Sequence, residues 1–142
     1  MKKFANNNAI YIDALPSTNG AYRAELITAA TVDTNSGGIG AALTLASDGH
    51  YDMANATGIT LRCSAIAVQS GTGTNKLVML RGFICNTGWS FTVGGDVWLN
   101  TSDGTFTQTQ PSTTGNCIQY CGRAMSATCL YFNPSAIYYT RA

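Results

Sequence analysis

The chain has 142 residues and a formal net charge of +1, and only 11% of its residues are Asp, Glu, Lys or Arg, against about a quarter in ordinary soluble domains. That length suits a single core. The basic residues are scattered, with no run beyond Lys2-Lys3, which excludes the clustered footprint that neutralises nucleic-acid phosphates. No stretch approaches the roughly 20 continuous apolar residues of a membrane-spanning helix, and Phe4-Ala5-Asn6-Asn7-Asn8 lacks the apolar core of a secretion signal. Neither nucleic acid nor membrane is expected as a partner, and assembly in a cytoplasm is.

With so few charges, the polar surface must come from Thr, Ser, Asn, Gln and Gly, residues that favour turns and strands over exposed helices. A charge-poor surface also lacks the self-repulsion that keeps monomers apart. It suits a protein packed against copies of itself or a partner.

Residues 1–40 hold Asn6-Asn7-Asn8, Pro16-Ser17-Thr18-Asn19-Gly20 and Asn35-Ser36-Gly37-Gly38, all loop chemistry. Between them lie two short apolar pieces, 9–12 and 24–30; the pattern of the second does not separate helix from strand. So little apolar surface predicts an N-terminal arm that is disordered or ordered by contact with something else. Phe4, Ile10, Tyr11 and Ile12 are its expected partner-binding residues.

From residue 41 the pattern becomes short strands between turn clusters. Residues 41–46 predict a strand stopped by Ser47-Asp48-Gly49. In 58–68, Ile59, Leu61, Cys63, Ala65 and Ala67 alternate with Thr60, Arg62, Ser64 and Ile66, the half-buried strand pattern. The turn Gly71-Thr72-Gly73-Thr74-Asn75 pairs it as a hairpin with 76–84, where Leu77, Val78, Met79 and Leu80 are apolar on both faces and predict a central strand. Further strands are expected over 96–100, 105–109, 117–125, 128–132 and 136–140. The expectation is all-β: a small antiparallel β-barrel or sandwich over 41–142, preceded by an extended arm over 1–40.

Cys63, Cys85, Cys117, Cys121 and Cys129 are odd in number and follow no secretion signal, which argues against a disulfide framework. Their apolar, strand-like surroundings predict buried free thiols. Zinc is rejected, because Cys117 and Cys121 would stand roughly 13 Å apart along a strand. His50 is the sole histidine and Glu25 the sole glutamate. His50 reads as a solvated loop residue, and no cysteine has a basic cluster or helix N-terminus to activate it. Asp48 and Asp52 are too few for a calcium loop, and Gly37-Gly38-Ile39-Gly40 has no following Lys-Ser/Thr for a phosphate loop. No enzyme, cofactor or metal site is expected. Trp89, Phe91, Trp98, Tyr120, Tyr131 and Phe132 fit core or intersubunit packing, with Trp89 the first choice for an exposed aromatic contact.

Gly95-Asp96-Val97-Trp98-Leu99-Asn100, followed by Ser102-Asp103-Gly104 and Pro111, resembles a strand and turn of bacteriophage fibre and head-decoration domains. Gln119-Tyr120-Cys121-Gly122-Arg123-Ala124 and Tyr131-Phe132-Asn133-Pro134 are similar to the ending of those small β-barrels, and 42–84 to their opening hairpins. The resemblance implies a virion role and trimeric assembly. The first expectation is therefore a capsid decoration or cement protein, a homotrimer bound to the major capsid protein. The alternative is a tail-fibre or spike module that binds host carbohydrate.

Overall fold

The computed structural model describes residues 14–142. Among these the chain forms β1 (Tyr22–Val32), β2 (Ala42–Leu45), β3 (Tyr51–Met53), β4 (Ala65–Ala67), β5 (Gly73–Cys85), β6 (Asp96–Leu99), β7 (Phe106–Thr107), β8 (Cys117–Ile118), β9 (Tyr120–Ala124), β10 (Cys129–Phe132) and β11 (Tyr139–Thr140). A single 3-10 turn covers Ile59–Leu61, and there is no α-helix among the described residues. The fold is all-β.

β5 organises the rest. Its 13 residues pair along one edge with β1 and along the other with β4 and then β10. The nine-stranded sheet runs β1-β3-β2-β4-β5-β10-β9-β6-β7, and the β1–β5 pairing folds its first five strands into a ring. That ring closes through one parallel bridge, Val32 to Tyr51, backed by the Asp33 N–H donating to the Tyr51 carbonyl at 2.8 Å. The remaining strands extend from β5 as a leaf, and β8 pairs with β11 in a separate two-stranded ribbon.

Two apolar clusters follow from this layout. Ala30, Val32, Leu43, Tyr51, Met53, Ala65, Ala67 and Val78 come from all five ring strands, so they line the inside of the ring. Ala42, Ile66, Met79 and Ile84, on the opposite faces of β2, β4 and β5, pack with Val97, Leu99, Leu130 and Phe132 from the leaf. Strands sandwiched between two cores must be apolar on both faces. This is why Ala65, Ile66 and Ala67 are all buried and why Val78 and Met79 are both fully buried neighbours in sequence.

Two glycines permit close backbone approach. Gly82 in β5 has φ 141°, and a Cβ there would strike the Arg23 carbonyl oxygen and Ala24 Cα of β1. Gly122 in β9 would strike the Tyr131 carbonyl of β10.

Several expectations are corrected. The arm boundary at residue 40 does not hold for the described part: Tyr22–Val32 is a long strand paired with β5 from Tyr22–Ile84 to Val32–Gly73. What orders it is the chain's own β5, because two long strands satisfy each other's backbone groups. The strand expected over 58–68 is only Ala65–Ala67, since Ile59–Leu61 turns as a 3-10 segment on the surface. The 117–125 strand breaks at Gln119 into β8 and β9. β3 was not foreseen.

Candidate functional site

The outer face of the leaf carries a continuous row of side chains fixed by strand register. Arg23 of β1 lies opposite Phe83 of β5, Phe83 opposite Tyr131 of β10, Tyr131 opposite Arg123 of β9, and Arg123 opposite Asp96 of β6. Directly opposed residues share a face and touch, and the Phe83 and Tyr131 rings are 4.8 Å apart at a 38° tilt. Arg123 Nη2 approaches Asp96 Oδ1 at 3.5 Å. One step along, Arg81 Nη2 donates to Glu25 Oε1 at 2.7 Å across β1 and β5. That bond to Glu25 raises the Arg81 pKa further. Trp98 and Tyr120 continue the aromatic surface with an edge contact at 5.9 Å.

The row therefore holds half-buried aromatic rings between exposed guanidinium and carboxylate groups. Rings offer flat apolar faces and the charged forks offer paired hydrogen bonds. Such a surface can stack on a sugar ring and bond its hydroxyls. Because Glu25 and Asp96 each neutralise an arginine, its electrostatic pull on a polyanion is weak.

A second feature is a cleft of about 320 Å³ lined by Thr44, Leu45, Thr60, Arg62, Cys63, Ser64, Gln119, Ser135 and Ala136. Gln119, only 3% exposed, sits in its wall. Its Oε1 accepts from the Cys63 N–H at 2.8 Å, and its Nε2 donates to the Cys63 carbonyl at 2.8 Å and the Ser135 carbonyl at 3.0 Å. The amide thus substitutes for a strand partner where β8 and β9 break. At the rim the Arg62 guanidinium lies 4.1 Å over the Tyr138 ring.

The third feature surrounds His50 in the β2–β3 connection. Gly49 (φ 87°) forms the turn, and the His50 N–H donates to Asp48 Oδ1 at 3.0 Å. His50 Nδ1 lies 2.9 Å from Asp33 Oδ2 and 3.9 Å from Asp48 Oδ2. The Asp33 hydrogen bond raises the His50 pKa above 6.5, helped by the charges of Asp33, Asp48 and Asp52. One ligand atom from each of Asp33, Asp48 and His50 lies within 4.8 Å of the others, a spacing open to a divalent cation. An ion pair with protonated histidine accounts for the same geometry.

All five cysteines are buried free thiols, as the apolar setting of each suggests. Burial pushes the Cys117 thiol up and holds Cys121 well above its usual range, where a hydrogen bond with Cys63 adds to the effect. Cys129 is pushed up to about 11 by burial and then by neighbouring Cys85. Thiols in this state are neutral near pH 7 and poor nucleophiles.

No protein-family model and no curated protein matches this chain.

Of the residues expected from sequence, Phe4, Ile10, Tyr11 and Ile12 lie outside the described residues. Trp89 is half-buried rather than free-standing. Its ring packs on Phe91 at 5.2 Å and edge-on to Phe106 at 6.2 Å, and Gly40 leaves room for it, since a Cβ there would come within 3.1 Å of the indole. Arg23, Arg81, Phe83 and Arg123 were not foreseen as a group. Their outward positions are readable from the alternation of apolar residues, but their adjacency depends on register between distant strands.

Proposed function

We propose that this chain is a non-enzymatic structural protein of a bacteriophage particle, a capsid decoration or cement protein that acts by packing rather than by chemistry. In this reading it assembles in the host cytoplasm, trimerises with copies of itself, and binds the major capsid protein. The observation that carries the reading is the exposed apolar set on a chain with so few charges. Leu45 (52% exposed) lies on the cleft beside Ala136; Ile137 (68%) follows in the loop before β11, and Tyr139 (68%) lies on β11. Large apolar side chains grouped this way favour an interface. The test is quantitative mass spectrometry of purified particles. Copy number comparable to the shell subunit supports decoration, and absence from the particle overturns the proposal. Ile137→Asp is expected to weaken self-association measured by sedimentation while leaving the β-sheet spectrum unchanged.

A second reading, a tail-fibre or spike module that binds host carbohydrate, is favoured by the Phe83–Tyr131 pair set among arginines and carboxylates. Aromatic stacking and paired polar groups are the means by which proteins hold neutral sugars. A glycan array binds wild type and loses Tyr131→Ala in this reading; an array with no binding refutes it.

A further inference from the structure

Cys85 of β5 and Cys129 of β10 stand directly opposite one another across an antiparallel ladder. Their hydrogen bonding shows which kind of pair they form. At the next position out, the Asn86 N–H donates to the Thr128 carbonyl at 2.9 Å, so that pair belongs to the ladder bonds. The Cys85 backbone turns the other way: its N–H donates to the Ala21 carbonyl at 2.9 Å and its carbonyl accepts from the Gly20 N–H at 2.8 Å. The Cys129 carbonyl likewise faces away, accepting from the Met125 N–H at 2.8 Å. The two cysteines are therefore a non-hydrogen-bonded pair, the closer of the two types, with Cα atoms about 4.5 Å apart. A disulfide needs Cα atoms roughly 4.4–6.8 Å apart, so the strands already stand within bonding range.

We propose that Cys85 and Cys129 form a covalent cross-link site, oxidised to a cross-strand disulfide by a low-molecular-weight disulfide. One cysteine thiolate attacks a sulfur of the small disulfide and expels one small thiol, giving a mixed disulfide on the protein. The second thiolate attacks that protein sulfur, forms the Cys85–Cys129 bond and expels the second small thiol. Two protein thiols are oxidised, the small disulfide is reduced to two thiols, and the two cysteine protons end on them. Both side chains are 0% exposed, so exchange proceeds when the four-residue β10 opens from β5, and the finished bond is sealed from reductant. It would staple the leaf to the strand that the ring shares with it. The inference rests on strand register alone and is independent of any virion role.

The reduced chain is incubated with oxidised glutathione under native buffer and in mild urea, alkylated, digested and mapped by mass. The expected product is a peptide pair joining Cys85 to Cys129, two hydrogen atoms lighter than the reduced pair, with a raised thermal midpoint. Cys63→Ser retains this product and Cys129→Ser loses it. Alkylation of all five thiols throughout, linkage only between other cysteines, or a lowered midpoint in the cross-linked chain overturns the proposal.

Discussion

Replacing Gln119 by Leu keeps the side-chain volume close to its original value and removes every hydrogen bond the amide makes. The Cys63 N–H and carbonyl then lose their partner inside a residue only 3% exposed, and neither can turn to water. A buried group left unpaired costs about 1–3 kcal/mol. The Ser135 carbonyl also loses its donor, but Ser135 is half-exposed and water can replace the amide there. Two such groups cost about 2–6 kcal/mol together and the apolar gain from leucine offsets a fraction, leaving a net destabilisation of roughly 2–5 kcal/mol. Domains of this size are stable by about 5–15 kcal/mol, so the variant folds with little margin. For a slope of about 2 kcal/mol per molar urea, the midpoint falls by roughly 1–2.5 M. Gln119→Glu provides a control for shape, since its carboxylate keeps an acceptor for the Cys63 N–H but faces two carbonyl oxygens. It is expected to be at least as destabilised at pH 7 and to recover in part at low pH, where the acid can donate. A Leu variant within about 1 kcal/mol of wild type would falsify the role given to this amide.

Gly82→Ala places a methyl group against the β1 backbone at φ 141°, and is expected to cost roughly 2–4 kcal/mol through strain and overpacking; an unchanged thermal midpoint would show that β1 is not held at this distance. His50, as the only histidine, gives a single clean NMR titration. Its folded pKa is raised above 6.5, so its contribution to stability is fully present below 6.5 and is lost as pH rises through the higher folded value. Asp33→Asn removes the largest cause and is expected to bring the titration down toward 6.5, whereas an unmoved midpoint would assign the shift to Asp48 and Asp52.

Much of the strand pattern was legible because turns are local. Ser47-Asp48-Gly49 and Ser102-Asp103-Gly104 mark reversals from their own residues, and Leu77 to Leu80 reveal a strand buried on both sides without reference to any partner. β1 was not legible as part of the sheet. Arg23, Glu25, Thr28 and Ala29 face solvent within it, which weakens its apolar signal, and its partners lie roughly forty to sixty residues later in the chain. Ile59 and Leu61 misled in the opposite direction, because their alternation mimics a strand while their backbone turns. The outer row of the leaf required register, which residue type alone does not encode. Trp89 is the sequence's first choice for an exposed aromatic contact, yet its ring is engaged in packing, and the smaller Phe83 and Tyr131 hold the more open face.

The dependence of β1 on β5 also sets an order of events during synthesis. β1 leaves the ribosome long before Gly73–Cys85 exists, and β3 offers it only one bridge. Until the far strand emerges, eleven residues of β1 carry unpaired N–H and carbonyl groups, and pairings this distant in sequence are slow to form. Nascent copies made side by side on one message could therefore pair β1 with a neighbour's β5, so crowded translation favours exchange of that strand between chains. The long β1–β5 pairing of the finished ring and the vulnerability of the unfinished one have the same origin.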